Sequence, residues 1–230
     1  MKHILQGILG CLLLCFVGGC NRVIDWGATV FDQGTDLNNR AEQARKLVKS
    51  TVVYDQFTTV GMFDVLWLSN DVRILYSDLY AMRRCKNEEL KKAFLRRQLE
   101  ENNHYITFYV LSPVDMKLAD SQTQWSIFLK INDMCYCPIE VSVVDLDFEY
   151  QAMFGKKLSR FKEAYAVKFS ATDLDERQII GTNTRNVELY FKTLSKETKI
   201  VWNFASNECY RSPNERLVLE DTQQQKKDTA

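Results

Sequence analysis

The sequence predicts a mainly β fold, an antiparallel β-sandwich that carries a helical hairpin, and an immunoglobulin-like arrangement is one form of it. From residue 104 to 204, apolar and polar residues alternate with a period of two, as in strands buried on one face. The links between these segments resemble turns rather than crossover helices, which favours antiparallel pairing. Between residues 63 and 103 the apolar period is that of a helix. The alternative is an α+β sheet with helices on one face.

The domain is predicted to begin with one short helix and one strand. Residues 40–50, RAEQARKLVKS, are compatible with a helix. Residues 51–60, TVVYDQFTTV, are rich in the β-branched and aromatic side chains that are typical of strands.

The helical hairpin is predicted over about residues 63–103. Its first helix is indicated by helical spacing of Val72, Leu75, Tyr76, Leu79 and Tyr80, with Asn70 or Asp71 as the candidate N-cap. The second helix, over residues 87–103, has Asn87 as its candidate N-cap. Glu88 and Glu89 then fall in the first turn, where the helix dipole favours acids.

Six further strands are predicted after the hairpin. They cover residues 104–112, 123–131, 138–153, 163–171, 187–195 and 199–204. The last two are separated by KET and form a predicted β-hairpin. With residues 51–60 this gives about seven strands in one domain, residues 40–220, followed by a polar tail, 221–230, that is predicted to be disordered.

Residues 1–19 have the three parts of an export signal. Lys2 supplies positive charge, Ile4 to Val17 are almost all apolar, and two glycines lead to Cys20. About 14 residues of helix are about 21 Å long, which is shorter than a bilayer core of about 30 Å. The segment is therefore interpreted as a cleaved signal peptide rather than a membrane span.

The end of this segment, Val17-Gly18-Gly19-Cys20, resembles the lipobox of bacterial lipoproteins. The resemblance implies that the Cys20 thiol takes a diacylglyceryl group and that the signal is removed before this residue. Asn21 follows, whereas an aspartate there resembles an inner-membrane retention signal. The resemblance thus implies a protein anchored to the outer membrane through Cys20 and facing the periplasm, with residues 20–39 as a lipidated tether.

Composition limits the classes of partner and the number of domains. The chain has 30 basic and 30 acidic residues, and Lys2 is the only charged residue of the predicted signal, so the mature chain has one excess acid. Such a balance gives no general attraction to nucleic acid. With 46% apolar residues, the chain can form a full core, and its 3 prolines argue against long linkers.

Four cysteines remain outside the signal and Cys20, namely Cys85, Cys135, Cys137 and Cys209. An exported protein is in a compartment that permits disulfides. Cys135 and Cys137 point the same way in an extended segment, so pairing with Cys85 and Cys209 is geometrically easier. Free buried thiols are the alternative. No metal site is predicted, because one CxC lacks the doubled CxxC spacing of zinc sites.

The helical hairpin concentrates positive charge. Seven basic residues fall within fifteen positions: Arg83, Arg84, Lys86, Lys91, Lys92, Arg96 and Arg97. On a lipid-anchored protein such a patch favours contact with an anionic surface. The alternative is an ordinary solvated helix with pairs such as Glu88 and Lys92.

Three acids alternate with apolar residues in VVDLDFEY. In a strand, Asp145, Asp147 and Glu149 would share one face at spacings of about 6.5–7 Å. That spacing suits a pair of glycosidase carboxylates, or a weak calcium candidate. A half-exposed strand needs the same alternation for solubility alone, and a solvated face is the favoured interpretation.

Little else in the sequence indicates catalysis. After signal removal the only histidine is His104, interpreted as a turn or strand-start residue, and no nucleotide-binding, metalloprotease or serine-hydrolase motif occurs. No cofactor is expected. Trp67, Trp125 and Trp202 fall on apolar faces and are predicted core residues.

These observations favour a lipid-anchored, non-enzymatic protein of the cell envelope that contacts a protein partner or an anionic surface. This hypothesis requires an exposed basic or apolar patch on the hairpin. One alternative is a periplasmic sugar- or small-ligand-binding module, which requires a concave site with two or more exposed aromatics. Another is a carboxylate-based hydrolase that uses the acids between residues 145 and 149.

Overall fold

A computed structural model describes residues 35–173, 175–181 and 183–204 of the chain. From Glu42 onward the described residues belong to one compact unit. Two antiparallel sheets of five and four strands dominate it, so the predicted β-sandwich with helical parts is confirmed. The predicted signal peptide, Cys20, Cys209 and the polar tail lie outside the described residues.

The five-stranded sheet, called the first sheet, has the order β1-β2-β3-β7-β6. Its strands are β1 (Lys49–Asp55), β2 (Thr58–Trp67), β3 (Tyr105–Pro113), β6 (Glu140–Val143) and β7 (Lys162–Ser170). The first three strands lie side by side in chain order. This order differs from the immunoglobulin-like form, in which the third strand lies in the opposite sheet.

The four-stranded sheet, called the second sheet, has the order β5-β4-β8-β9. Its strands are β4 (Ser126–Ile131), β5 (Met134–Tyr136), β8 (Asn186–Lys192) and β9 (Glu197–Asn203). The predicted hairpin of the last two strands is confirmed, because β8 and β9 pair along their whole length. The helices are α1 (Thr35–Arg45), α2 (Asn70–Arg83), α3 (Glu88–His104) and α4 (Phe148–Phe154).

Aromatic side chains form the centre of the core between the two sheets. Phe63 of the first sheet stacks on Phe191 of the second, with ring centroids 3.9 Å apart. Trp125 packs edge-on against Phe63 at 5.0 Å, and Trp67 packs against Trp202 at 5.9 Å. The prediction that these tryptophans are core residues is confirmed, since Trp67 and Trp125 are buried and Trp202 is half-buried against the core.

The outer face of the first sheet is covered by α2, α3 and α4. Leu66 and Leu111 lie on this face and are fully buried. Tyr150 of α4 packs edge-on against Tyr109 of β3 at 4.9 Å. The molecule thus combines the predicted sandwich with the helix-covered sheet of the alternative. Within the described ranges, none of the helices combines the length and apolar character that a bilayer crossing requires.

The prediction for residues 51–67 is wrong in two respects. Residues 51–60 are not one strand, because the chain turns at Gln56 and Phe57 between β1 and β2. Residues 63–67 are the end of β2 rather than the beginning of a helix, so the hairpin follows the second strand. The run from Phe63 to Trp67 is apolar at nearly every position because β2 is buried on both faces.

The strand predicted over residues 138–153 ends at Val143, and residues 148–154 are helical instead. Leu146, Phe148 and Tyr150 alternate in sequence, but Phe148 is exposed. The buried apolar residues are Leu146, Tyr150, Met153 and Phe154, which have helical spacing.

Further boundaries differ from the prediction. The helix predicted over residues 40–50 lies at Thr35–Arg45, so residues 35–39 are helical rather than an irregular tether. The three-residue strand β5 was not predicted. The described part of the chain therefore has nine strands instead of about seven.

Candidate functional site

The helical hairpin is formed by α2 and α3, and both helices begin at a capping side chain. The predicted cap Asn87 is confirmed, because its Oδ1 accepts a hydrogen bond from the Leu90 amide at 2.9 Å. The cap of α2 is Ser69 rather than Asn70 or Asp71, and its Oγ accepts from the Val72 amide at 3.5 Å. The cap therefore lies one residue before Asn70 and two before Asp71.

The turn between the helices is made without glycine. Cys85 has a φ of +49°, in the left-handed region that usually favours glycine. The amide of Lys86 donates to the carbonyl of Ala81 at 2.9 Å, which closes the end of α2. Arg84 and Lys86 are therefore held at the exposed corner of the hairpin.

Stacked rings join α2 to its neighbours. Tyr80 stacks on Phe94 of α3 with centroids 4.3 Å apart, and Tyr76 stacks on Tyr150 of α4 at 4.2 Å. These contacts fix the buried face of the hairpin against α4 and the first sheet. The opposite face is left to solvent.

A buried arginine also joins the two helices of the hairpin. Arg73 donates to Asn102 Oδ1 at 3.3 Å and to Gln98 Oε1 at 2.6 Å. Its third nitrogen lies 3.0 Å from Glu101 Oε2. Arg73 follows Val72 on the face of α2 predicted to be buried, but its role was not predicted. The network gives the hairpin a fixed geometry.

Three of the seven basic residues are engaged by other side chains. Arg83 donates to Glu149 Oε1 at 2.7 Å, and this hydrogen bond raises the pKa of Arg83. Lys91 lies 2.8 Å from Asp78 Oδ1. Arg84 lies over the ring of Tyr80 at 4.4 Å.

The other four basic residues form what we call the basic hairpin surface: Lys86, Lys92, Arg96 and Arg97. All four are exposed. In the described part of the chain, no ion pair involves Lys86, Arg96 or Arg97. Glu89 and Glu100 are also exposed on α3, so the surface is a mixed one with an excess of cations.

The three acids of VVDLDFEY do not share one strand face. Asp145 is exposed in the segment before α4, whereas Glu149 is buried in the pair with Arg83. Asp147 accepts a hydrogen bond from Tyr76 Oη at 2.7 Å. Burial is the largest cause that raises the pKa of Tyr76, and this hydrogen bond is the second largest. The structure thus gives two of the acids a role in joining α2 to α4.

Metal-ligand groups are not clustered in the described ranges, where no group of three or more His, Cys, Asp or Glu side chains is placed to hold an ion. Cys85, Cys135 and Cys137 are exposed free thiols, so the alternative of buried thiols is wrong for these three. Pairing with Cys209 lies outside the described residues. His104 is the last residue of α3, immediately before β3, so it ends a helix and is not the predicted turn or strand-start residue.

Two hollows are bordered by polar side chains. One, of about 500 Å³, lies along α3 and is lined by Phe94, Arg97, Gln98, Glu100, Glu101 and His104. The other, of about 350 Å³, lies at one end of the second sheet and includes Lys130, Asn186 and Glu188 in its lining. Its neighbours on the outer face of that sheet are the stacked rings of Phe128 and Tyr190, 4.7 Å apart.

A second buried charge was missed by the sequence analysis. Asp64, on the outer face of β2, is buried and accepts hydrogen bonds from Lys162 and Ser50. Lys157 lies 3.7 Å from the same carboxylate. Its position within the apolar run FDVLW was the only signal in the sequence, since an acid there requires a partner once the strand is buried.

Comparisons with known proteins give no relative from which a function could be transferred. No protein-family model matches the chain, and no curated protein matches it significantly. The function is therefore argued from the site alone.

Proposed function

We propose that this protein is a lipid-anchored component of the bacterial cell envelope that acts by contact and not by catalysis. The observation that supports this proposal is the basic hairpin surface. The hairpin is packed on one face and rigid, yet Lys86, Arg96 and Arg97 are exposed and have no ion pair with a described residue. Exposed cations on a fixed support suit recognition of an acidic partner.

The partner is a protein with an acidic surface or an anionic surface of the envelope. Each basic residue near an anionic surface contributes about 1 kcal/mol. Three such residues would change affinity on the order of 100-fold at low ionic strength, and less where salt screens the charges.

The anchor is proposed from the resemblance of Val17-Gly18-Gly19-Cys20 to a lipobox. Two or three acyl chains on one residue give stable anchoring, whereas one chain gives marginal binding. The proposed location is the outer membrane, on its periplasmic side. Replacement Cys20→Ser is expected to release the protein from membranes and to change its migration in gels; an unchanged variant would contradict the anchor.

The contact surface can be tested by crosslinking in intact cells, followed by identification of the products. The variant Lys86→Gln/Arg96→Gln/Arg97→Gln is expected to lose the specific product or the binding to anionic vesicles. The control, Lys46→Gln/Lys156→Gln/Arg185→Gln, removes the same charge from exposed positions outside the hairpin. Equal losses in both variants, or no loss in either, would refute a role for the basic hairpin surface.

A second candidate function is a sugar- or small-ligand-binding module. It is favoured by the polar hollow of about 350 Å³ beside the stacked Phe128 and Tyr190 rings. Aromatic faces and polar side chains together are common in ligand sites. Titration calorimetry with envelope saccharides tests it, and Tyr190→Ala should abolish any heat of binding that the unaltered protein gives.

A further inference from the structure

Large apolar side chains are exposed at one end of the sandwich. Four connections meet there, between β1 and β2, β3 and β4, β6 and β7, and β8 and β9, and we call this the tip end. Each connection exposes at least one such side chain close to the strand ends, with relative exposures of 102% for Phe57, 48% for Val114, 66% for Phe161 and 108% for Leu194. Isolated exposed apolar residues are common, but one in each of four adjacent loops is a pattern that requires an explanation.

Polar contacts bring these loops together. Lys196, beside Leu194 in the second sheet, pairs with Asp55 of the first sheet at 2.8 Å. Thr51 and Thr198 share a hydrogen bond of 2.6 Å just behind them. The amide of Val114 donates to the carbonyl of Phe161 at 3.1 Å. These contacts join the loop of Leu194 to the end of β1, and the loop of Val114 to that of Phe161.

The opposite end of the strands is different. Tyr105, Met134 and Ile139 are exposed there at 40%, 62% and 58%, comparable with Val114 and Phe161. In the described part of the chain, no large apolar side chain at that end is fully exposed, whereas Phe57 and Leu194 are. The two ends therefore differ in these two fully exposed side chains.

We infer that the tip end enters the interfacial layer of the lipid bilayer to which the protein is anchored. This inference rests on the proposed lipid anchor. The four side chains protrude separately from convex loops, whereas a protein interface needs a contiguous, closely packed core. A fluid bilayer accommodates separate protruding side chains, and the insertion of each one removes apolar surface from water.

The polar and aromatic residues beside the exposed side chains of the tip end are of the types found where proteins contact the membrane interface. Arg160 lies over the ring of Phe161 at 4.7 Å, so a cation accompanies an apolar ring. Tyr54 is exposed behind Phe57, and tyrosine is enriched at the level of lipid headgroups.

The tether is long enough for this orientation. The chain from Cys20 to Thr35 can span up to about 50 Å when extended. Strand β1, with 7 residues, is only about 23 Å long. An extended tether is therefore about twice as long as this strand, so its length does not prevent the tip end from reaching the bilayer.

The test adds one tryptophan at a time to the full chain. Each variant is reconstituted into vesicles of phosphatidylethanolamine and phosphatidylglycerol that contain brominated lipid. The variants are Phe57→Trp and Leu194→Trp, and Ile139→Trp at the opposite end is the control. The unaltered chain gives the background of its 4 tryptophans. The added tip tryptophans are expected to be quenched at least twofold more strongly than the control and to emit at shorter wavelength.

Flotation of the same samples separates this inference from the anchor. Equal quenching at both ends of a floating protein overturns the tip contact and leaves the anchor intact. A Cys20→Ser chain that floats and shows tip quenching supports the tip contact and refutes the anchor. An unaltered chain that does not float refutes both. Blue-shifted emission without lipid quenching shows that a protein segment covers the tips, which also overturns the inference.

Discussion

Gly61 shows how one position without a side chain permits the core to close. A Cβ atom at this position would lie 2.8 Å from Trp125 Cζ2 and 2.9 Å from Cη2. The Trp125 indole therefore packs directly on the backbone of β2, beside Phe63. The requirement for glycine arises from this close approach.

We predict that Gly61→Ala lowers the free energy of unfolding by about 1–3 kcal/mol, because the indole and the strand must separate. Gly181→Ala is the matched control, since no atom lies within 4 Å of the added methyl group. It is expected to change stability by less than about 0.5 kcal/mol. Urea unfolding followed by fluorescence measures both, and equal stability of the two variants would contradict the packing argument.

Tyr150 is buried between α2 and the first sheet, and its hydroxyl makes no well-formed hydrogen bond with a described residue. Burial is the main cause that raises the pKa of Tyr150 above its usual value. The folded protein therefore keeps the hydroxyl protonated at a pH where the unfolded chain loses the proton. The contribution to stability is complete below about pH 10 and is lost as the pH rises above it.

We predict that Tyr150→Phe makes the protein less sensitive to alkali. Above about pH 10 the unaltered protein should lose up to about 1.4 kcal/mol for each pH unit through this group, and the variant should not. At pH 8 the two should be about equally stable, because no well-formed hydrogen bond is removed. Unfolding curves at several pH values test this, with Tyr54→Phe at an exposed site as the control; identical slopes for Tyr150→Phe and the unaltered protein would contradict it.

At the scale of elements, the start of α3 depends on a single side chain. Asn87 accepts the Leu90 amide, and Glu88 and Glu89 occupy the first turn. This arrangement was readable in the sequence because a cap and its helix are adjacent in the chain. Capping is local, so its signal does not depend on the rest of the fold.

We predict that Asn87→Ala destabilises the protein by about 1 kcal/mol and that Asn87→Asp, which keeps an acceptor, does not. Hydrogen exchange at the first-turn amides of α3 should increase in the alanine variant, because Leu90 loses its acceptor. Faster exchange in both variants, or in neither, would show that the cap does not determine the start of the helix.

The placement of α4 could not be read from local pattern. VVDLDFEY alternates like a strand, and only the positions of α2 and β3 decide that Leu146 and Tyr150 are buried while Phe148 is exposed. The ion pair between Glu149 and Arg83 has the same origin, since the two residues are 66 positions apart in sequence. Part of the predicted basic patch is thereby used for structure rather than for contact.

At the scale of the whole molecule, the stacked pair of Phe63 and Phe191 joins the two sheets at the centre of the core. Both rings are fully buried, and each comes from a different sheet. The ring of Phe57, six residues earlier, is fully exposed. Two phenylalanines of the β1–β2 hairpin therefore lie in opposite environments, one in the core and the other in solvent.

We predict that Phe63→Ala lowers the free energy of unfolding by about 3–5 kcal/mol, because a cavity remains between the sheets. Phe57→Ala should change it by less than about 0.5 kcal/mol in solution. Thermal unfolding measured by circular dichroism tests both. A comparable loss in Phe57→Ala would mean that the tip residue is structural, and would weaken the case for a membrane contact.

Local chemistry determined much of this protein. Strands β3, β4, β7, β8 and β9, the β8–β9 hairpin, the Asn87 cap and the buried tryptophans follow from patterns that one segment contains. Such patterns are readable where an element has one buried and one exposed face, since burial then imposes its period on the sequence.

Tertiary structure alone decided the remainder. Strand β2 is buried on both faces and has no period, α4 is too short to show one, and the partners of Arg73, Arg83 and Asp64 are distant in sequence. The tip end likewise exists only because four loops meet in space. Contacts between distant segments leave no local pattern, because the environment of each residue is then determined by residues far away in the sequence and not by its neighbours in the chain.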